Sequence, residues 1–253
     1  MSFDLQKGSV TKRLAAWLLD IMLLMTLVVG AASGLSAILG YDKYQQTLNE
    51  AYEKYQVQYG IEFQITQEAY EALPPAEKEL YDNAAKALNA DDEAMYAYEM
   101  IINLTMLITS GSILIGILIA EFVVPLLLKN GRTVGKLAFG LGVIRPDGVR
   151  VTAVQLFIRS ILGKYALETM IPVYVLLMIF FQTGGIIGIV LVLAILLTQL
   201  GLLVFNPNKA LIHDLLASTV VVDIASQTVF DSTEDLIAYK NKLHAEEAFK
   251  QEY

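Results

Sequence analysis

The sequence predicts an all-α membrane protein: four transmembrane helices, a helical extracytoplasmic insertion and a small cytoplasmic β-hairpin. Three observations lead there. Hydrophobic residues make up 55% of the chain and charged ones 17%, with a mean hydropathy of +0.53, too apolar for an ordinary soluble domain. Four apolar segments approach the roughly 20 residues that a helix needs to cross a bilayer. The charges are also sorted by sign along the chain.

The first segment, 14–39, is broken only by Asp20. It is longer than the apolar core of a signal peptide and contains an acid, so it reads as a retained helix. Residues 101–128 form the second, with Glu121 and Pro125 inside. Residues 165–182 are a weaker one carrying Glu168 and Pro172, short enough for a tilted, partly buried or re-entrant helix. Ile186–Phe205 has no charge at all.

Residues 41–99 hold four lysines against thirteen acids, a net of −9, and residues 129–165 hold seven bases against Asp147, a net of +6. Short basic loops stay in the cytoplasm. This predicts an inner (plasma) membrane protein with cytoplasmic N- and C-termini, an external 41–99 segment and an external turn at 183–185. The resulting organisation is 1–40 (N-terminus and first span), 41–99 (insertion), 100–128 (second span), 129–165 (basic loop and amphipathic helix), 166–205 (transmembrane hairpin) and 206–253 (tail). A net charge of −8 argues against nucleic acid as a partner.

Inside the insertion, Gly60 ends a helix begun near Asp42, Pro74-Pro75 starts another, and Asp91-Asp92-Glu93 starts a third that runs into the second span. This reads as a solvated helical cap; the sharper alternative is a cation-attracting vestibule or a partner surface. In the basic loop, five glycines and the P-D-G turn at 146–148 suggest the hairpin, and residues 152–164 an amphipathic helix lying on the inner leaflet with its bases near lipid phosphates. "GRTVGK" lacks the spacing of a phosphate-binding loop. A short helix at 210–217, a short strand at 219–222 and a polar helix capped by Ser232 complete the tail.

There are no cysteines and two histidines, so no metal centre and no cofactor is expected. No serine nucleophile motif accompanies His213, and an enzyme is the least favoured class.

Arg13 at the start of the first span, Asp20 inside it, the "GRTVGKLAFGLGVIRPDGVRVT" loop, Arg159 and "ALIHDLLASTVVV" with Asp214 occur in that order. The set resembles the RDD family of bacterial membrane proteins, named for one arginine and two aspartates. The resemblance covers roughly 7–40 and 100–223. It implies an integral membrane protein, and some members are linked to sodium–proton antiport. The acidic insertion at 41–99 departs from the shorter connection expected in the family.

Asp20 follows Arg13 by seven residues, about 10 Å along the axis. An ionised carboxylate costs roughly 2.5–3.5 kcal/mol at the centre of a spanning helix, so it faces protein or water. Glu121 precedes Lys129 by eight residues on the returning helix, which puts both acids at a similar depth. Two readings of this pair stay open. In one, Asp20 and Glu121 form an ion or proton site, with Arg13 and Arg159 as counter-charges. In the other, Asp20 is a packing device held by Arg13, Arg159 or a hydroxyl. Asp214 is expected to clasp Arg13 or Arg159. Two functions follow: a transporter of small monovalent cations such as sodium in exchange for protons, or a non-catalytic accessory or assembly subunit partnered through the insertion or the C-terminal helix. Small-residue pairs at Gly30/Gly34 and Ser112/Gly116 allow close crossings within one chain or in a homo-oligomer.

Overall fold

A computed structural model of the chain describes residues 5–180 and 186–251. The turn expected at 183–185 lies outside them. Among the described residues, four helical stretches are long and apolar enough to cross a membrane: Val10–Leu39, Asp92–Leu127, Ala153–Phe180 and Ile186–Phe205. The last buries none of its residues, and a helix apolar all round belongs in lipid.

The chain divides into two compact units, residues 30–112 and residues 1–29 with 113–253. In the first, α1 (Val10–Leu39) ends at Gly40, whose positive φ of 67° separates it from α2 (Tyr41–Tyr59). Gly60, at φ 63°, stops α2 as expected. Next come α3 (Gln67–Ala72), α4 (Pro75–Asn89) with proline in its first turn, and the start of α5 (Asp92–Ile117). Tyr55, Leu88 and Ala94 form the core of this unit, with Tyr52, Phe63 and Tyr81 stacked edge to face around it.

In the second unit α5 widens into a π-helical turn, Leu118–Val123, before α6 (Val124–Leu127). Proline's ring clashes with the carbonyl four residues back, which for Pro125 is Glu121. A π-turn there relieves the conflict. The short α7 (Val134–Ala138) precedes β1 (Leu141–Ile144). β1 pairs antiparallel with β2 (Val220–Asp223), Ile144 opposite Val220, and not with the segment after the P-D-G turn. That turn closes with one bridge, Ile144 to Arg150. Val220, Val221 and Val222 are all buried and need a full strand beside them, whereas Arg150 turns away to Asp231. So the expected hairpin is a two-stranded sheet made by residues far apart in sequence.

The segment expected as a flat amphipathic helix and the weak span after it are one continuous stretch. It comprises α8 (Ala153–Phe157), a thirteen-residue π-helical segment Ile158–Met170, and α9 (Ile171–Phe180). Then follow α10 (Ile186–Phe205), α11 (Ile212–Leu216) and α12 (Thr233–Gln251). Of the small-residue pairs, the one on α5 is packed: Ser112 is buried, and a methyl at Gly116 would meet Val28 at 2.7 Å. At Gly30 and Gly34 a methyl would meet nothing within 4 Å.

Candidate ion site in the second unit

The π-helical segment decides which charges share a face. At the roughly 100° per residue of an α-helix, Lys164 would point about 140° from Arg159, and Glu168 about 180° from it. At the roughly 82° per residue of an i→i+5 helix, the same residues fall within about 50° and 20° of Arg159. The widened helix therefore turns Arg159, Lys164 and Glu168 the same way, and each meets a partner of opposite sign or a hydrogen-bonding ring.

Arg159 binds Asp214 at 2.7 Å, with side chains 5% and 2% exposed. Thr219 adds a hydroxyl to Asp214 at 3.1 Å, and the Leu211 N–H approaches the other carboxylate oxygen at 3.4 Å. Burial pushes Asp214 up, but Arg159, His213 and Arg13 outweigh it and hold the carboxyl at about 2. Glu168 accepts the His213 backbone N–H at 2.9 Å and faces the ring Nδ1 at 2.8 Å. A carboxylate only accepts, so the ring proton sits on Nδ1. Burial lowers the His213 pKa and keeps the ring neutral at pH 7. Gly163 makes room for this helix: a methyl there would sit 2.5 Å from the His213 Cβ.

Glu121 pairs with Lys164. Asp20 accepts from the Thr133 hydroxyl at 2.5 Å and from the Gly135 N–H at 2.7 Å, with the Lys136 ammonium at 3.8 Å. Thr133 is also the cap of α7, accepting from the Lys136 N–H. Gly135 is required by closeness, because a side chain there would collide with the Ala16 carbonyl oxygen. Lys136 is the group common to the two acids. Burial pushes its pKa down to about 8, Glu121 and Asp20 pull it up, and Lys164 and Arg159 push it down.

Arg13 reaches neither Asp20 nor Asp214 by a hydrogen bond. It donates to the carbonyls of Lys209 at 2.6 Å and Val221 at 2.7 Å, tying the start of α1 to the chain around β2. The structure thus places the five residues singled out by sequence as follows. Asp214 and Arg159 meet. Asp20 and Glu121 each find a lysine, with no direct hydrogen bond between them. Neither Arg13 nor Arg159 is the counter-charge of Asp20. Lys136, Lys164, Thr133 and the Glu168–His213 pair were not foreseen as site residues. One legible signal was present: Glu-x-x-x-Pro occurs at Glu121–Pro125 and again at Glu168–Pro172, and both acids lie in π-helical segments.

Four apolar spans and a buried cluster of paired charges define an integral membrane protein. The RDD family's sequence profile matches residues 7–218, and the chain belongs to the RDD family. No curated protein matches it, and no solved structure does.

Proposed function

We propose that this protein exchanges a small monovalent cation, sodium being the first candidate, for a proton at the Asp20–Lys136–Glu121 cluster. The observation that carries the reading is the position of Lys136, a mostly buried ammonium 3.8 Å from Asp20 that also feels the charge of Glu121 on another helix, its pKa lowered to about 8. When Lys136 gives up its proton, the acids lose one positive charge. A desolvated alkali cation restores it, using the Asp20 carboxylate and the Thr133 hydroxyl that already bonds to it. One charge leaves and one enters, so the exchange is one for one and moves no net charge. On this reading the chain is not an enzyme, and the positive-inside pattern supports an inner-membrane protein with both termini cytoplasmic.

The test is alkali-cation-dependent proton flux in proteoliposomes. Asp20→Asn and Glu121→Gln should each cut flux at least tenfold, and sodium should lower the pH at which Lys136 titrates. A parent protein silent with every alkali cation removes the exchange reading. A second reading, a non-catalytic accessory or assembly subunit, is favoured by the Arg159–Asp214 clasp, which has the burial of a structural pin. It predicts no flux, and assembly that depends on the insertion or on α12.

A further inference from the structure

Seven bases lie between residues 129 and 165, and five of them are committed to acids. Lys136 serves Asp20, Arg145 serves Asp147, Arg150 serves Asp231, Arg159 serves Asp214 and Lys164 serves Glu121. The two left over, Lys129 and Arg132, have no ion-pair partner among the described residues. They sit in the same tight turn, joined by the Arg132 Nε–H donating to the Lys129 carbonyl at 2.8 Å. The bases expected to meet lipid phosphates, Arg159 and Lys164, are instead buried in ion pairs.

The helix that follows this turn is inside out. The polar Thr133 and Lys136 face the protein, with Gly135 wedged against α1. Val134, Leu137 and Phe139 face away from it, at 42%, 43% and 38% exposure, and Leu127 just before the turn is 78% exposed. In water that arrangement leaves apolar area wet for no return. Beside the end of a spanning helix, the medium that suits both features is a phospholipid layer, apolar below and phosphate above.

We propose that residues 127–139 form a docking site for an anionic phospholipid. Val134, Leu137 and Phe139 lie against its acyl chains, and Lys129 with Arg132 holds its phosphate. The occupant is argued from charge: two unspent cations meet one anionic headgroup next to a helix that is otherwise apolar outward. The same segment carries Thr133, Gly135 and Lys136 onto Asp20, so a bound lipid would steady the seat of that cluster. The inference goes beyond the exchange reading and is tested without transport.

The full chain, reconstituted in lipid, allows both halves to be tested. Trp17 is the only tryptophan, so Phe139→Trp in a Trp17→Phe background reports one position. Its emission should be quenched by phosphatidylcholine brominated on the acyl chains and spared by aqueous iodide. Retention of phosphatidylglycerol over phosphatidylcholine, read by native mass spectrometry, should fall roughly 30-fold in Lys129→Gln/Arg132→Gln, from about 1 kcal/mol per base. Lys78→Gln/Lys86→Gln, in the acidic unit, should leave the ratio alone. Iodide quenching without bromine quenching, or an unchanged ratio in the Lys129/Arg132 variant, overturns the proposal.

Discussion

Asp91, in the acidic unit, and Asp214, in the unit that carries the charged cluster, both have a pKa held at about 2, by different physics. Asp91 lies near the surface, its side chain 18% exposed against 2% for Asp214. The Ala94 N–H, Lys54 and Tyr55 each bond its carboxylate, and nothing opposes them strongly. Asp214 is buried, and burial alone would push it up. It stays ionised because the Arg159 guanidinium sits 2.7 Å away. The difference teaches what each acid risks. Losing one of several hydrogen bonds at a partly exposed site costs little, whereas losing the partner of a buried charge leaves that charge stranded. Lys136 adds a third case: a buried base that, unlike arginine, can let its proton go.

The largest effect should follow Arg159→Leu. Removing one partner of a buried pair costs roughly 3–5 kcal/mol, seen as a large drop in thermal midpoint in detergent. Adding Asp214→Leu should recover most of the loss, because no charge is then stranded. A double variant as unstable as the single one would break the comparison with Asp91.

Lys136 should show itself in pH dependence. Its folded-state pKa lies at about 8, below the ordinary 10.5, so the unfolded state binds more protons between those values. Stability therefore rises with pH across that window: the cost of the buried ammonium is fully present below about 8 and gone above about 10.5. The swing is about 3 kcal/mol. Melting from pH 7 to 10.5 should show this rise in the parent, and Lys136→Met should flatten it. The same slope in both would assign the titration to another group.

What was legible in the sequence divides along the same line. The spans follow from apolar length, and the helix limits at Gly60 and Pro75 from φ freedom and proline geometry, all of them local causes. The partners of the charges were not local. Glu121 and Lys164 are 43 residues apart, and they meet through π-helical geometry that an α-helical period misplaces by about a quarter turn. β1 could not be matched to β2 by pattern either, because the P-D-G turn offered a nearer partner. The resemblance drew attention to Asp214, Arg13 and Arg159 and left either arginine as the partner; the structure gives Asp214 to Arg159 and Arg13 to backbone carbonyls. Asp20 was correctly expected to need company, since a carboxylate in a span requires it. That requirement does not say whether an arginine, a lysine or a backbone N–H supplies it, and here the last two do, together with the Thr133 hydroxyl.

Gly163→Ala sharpens the comparison at smaller amplitude. The added methyl would press on the Cα and Cβ of His213 and push α11 from its seat, at a cost of about 1–3 kcal/mol. Asp214 moves with α11, so the Arg159 pair should lengthen, and His213 should titrate nearer its ordinary value as water enters. A chemical-shift titration of the ring reads this directly. An unshifted ring would mean that the seat is soft.

Asp91→Ala should have the smallest effect. The Glu93 and Ala94 N–H groups both bond the Asp91 carboxylate, so the first turn of α5 loses its side-chain cap. The change should stay local, as faster amide exchange at residues 93–94 with little movement of the global midpoint. In the parent, the lowered pKa fixes the sign of the pH effect. The carboxylate's contribution is complete above its ordinary 3.8 and is lost as pH falls toward about 2. Protection at those amides should therefore weaken over that acid range, and Asp91→Ala should remove the dependence. If the variant instead lowered the midpoint as much as Arg159→Leu does, Asp91 would be bearing the load of a buried charge, and solvent exposure would not be what separates the two acids.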